Sequence, residues 1–127
     1  MWAHGFSRSR QSRPKQFSDI TGDGRTMIQA TVERIAPLTS NDQIYVVTGS
    51  QYAELTAQQL PQIPKENIII EPSGRNTGPA IGLACMHLHQ RDPHAIVAFI
   101  HSDHVIARGL FPRRPAAAPR PPPKVIW

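Results

Sequence analysis

Apolar positions along this chain fall into two kinds of block, short continuous runs and helical repeats, and the sharpest change between them lies at residues 67–81. Ile68, Ile69 and Ile70 are consecutive, β-branched and apolar, which predicts a strand buried on both faces of a parallel sheet. Pro72 has no N–H to donate and ends the ladder. Gly74 and Gly78 let the backbone turn tightly and approach a ligand closely. Asn76 or Thr77 can cap the helix that follows, and Pro79 fits its first turn. Strand, polar loop and helix N-terminus together gather backbone N–H groups and the positive end of a dipole, a seat for a phosphate or a polar ring. The same pattern also describes an ordinary βα connection.

The flanking blocks repeat this order. Residues 1–24 are polar, rich in Arg and Ser, and read as loop, with Pro14 fixing the backbone beside Lys15. Thr26 caps a helix whose apolar face carries Met27, Ile28, Ala30, Thr31, Ile35 and Leu38, closed by Pro37. A turn at Asn41-Asp42 leads into a buried-type strand over residues 43–48, ending at Gly49. Ser50 caps a second helix to about Leu60, with Tyr52, Leu55 and Leu60 inward, and Pro61 and Pro64 break it. Beyond the central loop, residues 79–90 form a helix with Ile81, Leu83, Ala84 and Leu88 inward. Cys85 falls in the same apolar pattern as a small buried hydrophobe. After a turn at Asp92-Pro93, residues 95–100 are the last strand and deliver His101-Ser102-Asp103-His104 at its carboxyl end.

Helices and strands alternating at this spacing predict an α/β domain of parallel βαβ units with right-handed connections. Ligands of open α/β sheets bind beyond the carboxyl ends of the strands. Three polar clusters are expected to meet there: Thr48-Gly49-Ser50, the 71–77 loop, and Ser102-Asp103-His104.

Charge changes the picture mainly by its location. The formal net charge is +5 over 127 residues, which points first to nucleic acid. Residues 18–107, however, hold five basic against nine acidic residues, and the excess positive charge sits on the two ends. Neither end interleaves it with base-stacking aromatics, so no specific nucleic-acid binding is expected. Weak binding through counterion release is the remaining form. A lone Cys85 makes neither an internal disulfide nor a metal site. No apolar run reaches membrane-spanning length, and residues 1–10 lack a secretory apolar core, so a cytoplasmic protein is expected. Residues 110–127 hold six of the thirteen prolines, no acid and no period. The expected organisation is a partial domain over 1–107 and a disordered Pro/Arg-rich tail over 108–127, without a helix or a central strand.

The central loop also resembles a known family. Glu71-Pro72-Ser73-Gly74-Arg75-Asn76-Thr77-Gly78-Pro79-Ala80-Ile81 is similar to the signature loop of the mannose-1-phosphate guanylyltransferases. The spacing to Ser102-Asp103-His104-Val105-Ile106 resembles that family as well. So does Ser9-Arg10, three residues, then Pro14-Lys15-Gln16-Phe17. The match spans about residues 9–107. The resemblance implies a doubly wound, Rossmann-like nucleotidyltransferase domain that joins GTP and mannose 1-phosphate into GDP-mannose with release of pyrophosphate. It implies that Lys15 neutralises phosphate charge in catalysis, and that Glu71, Gly74, Arg75, Asn76 and Thr77 line the guanosine pocket. Asp103 would hold Mg2+, a hard cation suited to few carboxylates and phosphate oxygens. Read without the resemblance, Lys15 is a solvated loop lysine and Asp103 a cap or turn residue. His101 and His104 flank Asp103 without a third transition-metal ligand.

The chain departs from the family pattern at its start. An apolar first strand, a Gly-rich loop of the form G-G-x-G-T-R and a Trp-Pro-Leu run are missing, as is the sugar-binding half after Arg108. The missing strand would lie in the middle of the sheet. The expectation is therefore an incomplete fragment, inactive alone and of unknown oligomeric state. The alternatives are a fragment of another sugar-1-phosphate nucleotidyltransferase, or a non-catalytic nucleotide-binding or pseudogene product.

Overall fold

Thr26 has extended backbone (φ −78°, ψ 159°) and donates its N–H to the Gln29 side chain at 3.1 Å, one half of a capping box. Helix α1, Met27–Ile35, starts there. Its buried residues Ile28, Thr31, Val32 and Ile35 recur at the spacing of one helical face. Thr31 satisfies its hydroxyl by donating to the Met27 carbonyl at 2.8 Å. Ile44–Gly49 forms strand β1 and runs directly into helix α2, Ser50–Gln59. Strand β2 is Ile68–Glu71, helix α3 is Thr77–Arg91, and strand β3 is Val97–Phe99. A fourth strand, β4, is Lys124–Ile126. This computed structural model describes residues 15–19, 22, 24–73 and 77–101, and the backbone of 124–126.

The sheet order is β2-β1-β4-β3, and all its pairs are parallel. β1 alternates its side chains between two cores, as the two-residue period of a strand requires. Ile44 and Val46 join Phe17, Ile28, Val32, Ile35, Leu60 and Ile63 on the face covered by α1 and α2. Tyr45 joins Ile69, Ala84 and Leu88 on the face covered by α3. Helices on both faces of a parallel sheet make the α/β layering that the alternating blocks predict, in the doubly wound form that the resemblance implies.

Three local readings need correction. β2 is an edge strand, and of its three isoleucines only Ile69 is buried; Ile70 is 50% exposed. An edge position leaves one side of β2 without a neighbour among the described residues. Cys85 is exposed, because α3 buries only Ala84 and Leu88, one turn apart, and turns Cys85 and Met86 outward. The expectation of a tail with no central strand fails at Lys124–Ile126, which forms β4 between β1 and β3. Val125 and Ile126 are β-branched and suit a strand, and no proline lies among these three residues. Residues 108–123 and 127 of that stretch lie outside the described residues. No helix among the described residues is long and apolar enough to cross a membrane.

Candidate functional site

Because the strands are parallel, their carboxyl ends share one edge of the sheet. The register pairs Gly49 with Glu71, so the last residues of β1 and β2 lie side by side there. Gly49 caps α2 with extended backbone (φ −68°, ψ 152°), which brings the first N–H groups of α2 to this edge. Thr77 is exposed and is the first residue of α3, so a second helix N-terminus follows Glu71 after a short loop. α2 packs on one face of the sheet and α3 on the other, the arrangement at which open α/β sheets bind ligands beyond the carboxyl ends of their strands. A Cβ added at Gly49 would meet the Tyr52 ring at 3.9 Å, an ordinary van der Waals contact.

Glu71 is half-buried, and its Oε1 is shielded from solvent with no hydrogen-bond partner among the described residues. A shielded carboxylate oxygen lacking a donor is costly, so this atom is a ready acceptor for a donor brought by a ligand.

The turn that carries Lys15 is tied to the start of α2 by packing rather than by sequence proximity. It is the exposed first residue of a 3-10 turn, Lys15–Phe17, closed by Ser18 N–H donating to the Lys15 carbonyl at 3.0 Å. Phe17 anchors the turn in the α1–α2 core, where its ring lies 5.8 Å from that of Tyr52, tilted by 42°. Tyr52 stands in the first turn of α2, just past Gly49. The chain leaves the Lys15 turn through Asp19, whose carboxylate accepts N–H bonds from Gly22 at 2.6 Å and Gly24 at 2.8 Å. Both glycines have left-handed backbone, with φ of 74° and 80°, which a side chain would oppose. The Asp-x-x-Gly-x-Gly spacing is the signal that could have shown this clamp in advance. The Phe17–Tyr52 contact has no sequence signal.

Of the residues named by the resemblance, the structure thus places Lys15, Glu71 and Thr77. Gly74, Arg75, Asn76 and Asp103 lie outside the described residues. His101 is exposed just past β3, beside the same edge. Among the described residues, no group of three His, Cys, Asp or Glu side chains is placed to hold a metal ion. The expected Mg2+ ligand, Asp103, is not among them. A separate open concavity of about 440 Å³ between α3 and β3 is lined by Cys85, Met86, His89 and Val97 among others, and by none of the expected site residues.

Residues 8–113 match the nucleotidyl transferase family. The chain is 39% identical over 104 residues to mannose-1-phosphate guanylyltransferase 2 of Escherichia coli O157:H7, covering 79% of this chain and 21% of that protein. It is 40% identical over 103 residues to the mannose-1-phosphate guanylyltransferase of E. coli K12, covering 78% of this chain and 21% of the relative. With the xanthan biosynthesis protein XanB of Xanthomonas campestris it shares 38% identity over 100 residues, 77% of this chain and 21% of XanB. The chain thus spans about a fifth of the length of the curated relatives it matches. With the family match extending over most of its length, including β1, β2, β3 and the three helices, the chain belongs to the nucleotidyl transferase family.

Proposed function

We propose that this chain forms part of the GTP-binding region of a mannose-1-phosphate guanylyltransferase. In that reaction a phosphate oxygen of mannose 1-phosphate attacks the α-phosphorus of GTP, and the bond to pyrophosphate breaks. The products are GDP-mannose and pyrophosphate. The observation that carries the reading is Glu71, paired with Gly49 at the carboxyl edge, whose shielded Oε1 has no donor among the described residues. Guanine offers N–H donors on one edge of its ring, where adenine does not present the same pair. A carboxylate oxygen awaiting donors therefore favours guanine. The N-termini of α2 and α3 and the Lys15 ammonium supply positive charge of the kind a triphosphate needs. In this proposal Lys15 neutralises charge as the α-phosphorus is attacked. Gly74, Arg75, Asn76 and Thr77 complete the guanosine pocket with Glu71, and Asp103 holds Mg2+, which supplies charge neutralisation at the phosphates.

Calorimetric titration of the chain with GTP in the presence of Mg2+, with ATP as control, tests it. Saturable binding selective for GTP is expected, and Glu71→Gln should weaken GTP at least about tenfold, the effect of losing a charge-assisted hydrogen bond. Equal binding of GTP and ATP, or an unchanged GTP affinity in Glu71→Gln, would count against guanine recognition at Glu71.

A further inference from the structure

Among the described residues β1 and β3 do not pair with each other, and β4 joins them. The pairing is brief: Ile44 and Tyr45 of β1 face Val125 and Ile126, and Val97, Ala98 and Phe99 of β3 face Lys124, Val125 and Ile126. Taking β4 away would leave two parallel strands two spacings apart, about 9.5 Å, too far for backbone hydrogen bonds and too close to fill with water at no cost. β3 also contributes Ala98 to the α1–α2 core and Val97 to the α3 core, so its position matters to both layers. The space between β1 and β3 therefore has the geometry of a strand acceptor, open to any extended segment that runs parallel.

We propose that this space is a strand-acceptor slot, that Lys124–Ile126 fills it as a detachable self-complementing strand, and that an extended apolar peptide of the same sequence can replace it in trans. Recognition would come from backbone hydrogen bonds to both neighbours, with β-branched side chains favouring the extended conformation. The occupant tethered within the same chain acts at high effective concentration, so an external peptide competes poorly until the tethered segment is disabled. This proposal is independent of the nucleotide reading.

The test uses the full chain carrying Val125→Asp and Ile126→Asp, and a fluorescent peptide with the sequence of residues 121–127. A lowered urea midpoint is expected for the double variant. It should bind the peptide saturably, at least about tenfold more tightly than the unaltered chain does, and the peptide should restore the midpoint. A scrambled peptide should do neither. An unchanged midpoint, or a loss that the native-sequence peptide does not repair better than the scrambled one, would overturn the proposal. A second measurement does not depend on the folding of that variant. Phe99→Cys with Ile126→Cys, in a Cys85→Ser background, places two thiols at paired positions. Oxidation should give an intramolecular disulfide by mass spectrometry, since neighbouring strands bring Cα atoms within bridging range. Failure to form it under native conditions, while the chain remains folded, would remove β4 from the slot.

Discussion

Asn67 donates its buried side-chain amide to the backbone carbonyl of Ile44 at 3.0 Å, tying the entry of β2 to the first residue of β1. The same nitrogen donates to the Asp42 carbonyl at 2.9 Å, and the Asn67 oxygen accepts from Arg91 Nη1 at 3.2 Å. Arg91 also lies over the Tyr45 ring, 5.8 Å from its centre. One carboxamide thus joins the amino ends of two strands to the last residue of α3, at the end of the sheet opposite the candidate site. Asn67→Ala would strip the donor from the Asp42 and Ile44 carbonyls. It should cost about 1–3 kcal/mol, read as a lowered urea midpoint with an unchanged slope.

The two sides of the isoleucine pattern should respond very differently. Ile28 is fully buried beneath α1, and Ile28→Ala should cost about 2–5 kcal/mol. Ile70→Ser, at a half-exposed position of the edge strand, should change stability by about 0.5 kcal/mol or less. Chemical denaturation of both variants measures the contrast. A large loss at Ile70 would mean that β2 is covered on both faces.

Cys85 sits on the outward side of α3. The native protein should therefore react with a thiol reagent such as Ellman's at a rate close to that of the urea-unfolded chain. Marked protection in native buffer would put the thiol inside.

Asp42 is held ionised below its ordinary value of 3.8, first by a side-chain hydrogen bond from Ser40 and then by one from Gln43. The Gln43 amide donates to Asp42 Oδ2 at 2.8 Å. These bonds exist only in the folded chain and favour the carboxylate there. Their contribution is whole above pH 3.8 and is lost as the pH falls through the lower folded value. Asp42 is fully exposed, so the effect is small. Asp42→Asn should flatten the acid limb of a stability-against-pH curve slightly and leave the neutral region unchanged.

What could be read from residues alone was what local chemistry decides. Thr26 before Ile28 and Ile35 marks a helix start whatever surrounds it, and the structure begins α1 one residue later. The strand over residues 43–48 and the helix after Gly49 were legible for the same reason. Burial of particular side chains was not legible, because it depends on which strand stands at the sheet's edge. Ile68, Ile69 and Ile70 read alike in sequence and end at three different exposures. Cys85 lies within an apolar repeat, but α3 has only one face against the sheet. At the candidate site, Glu71 and Lys15 were named from the resemblance. The contact that brings the Lys15 turn to the start of α2, Phe17 on Tyr52, joins positions with no shared pattern. The composition of residues 108–127 hid β4, since three strand-forming residues carry little weight beside so many prolines.

The pairing of Ile44 with Val125 also fixes an order of events during synthesis. β1, α2, β2, α3 and β3 are all made before β4, and ribosomes add about 5–20 residues per second. For a second or more, β1 and β3 present unpaired inner edges to one another and to any neighbouring chain. The contact that closes the sheet joins residues far apart in the chain, so it is among the last to form and the slowest to find. Nascent chains of this protein should therefore be most prone to mispairing in the interval between the emergence of β3 and that of β4.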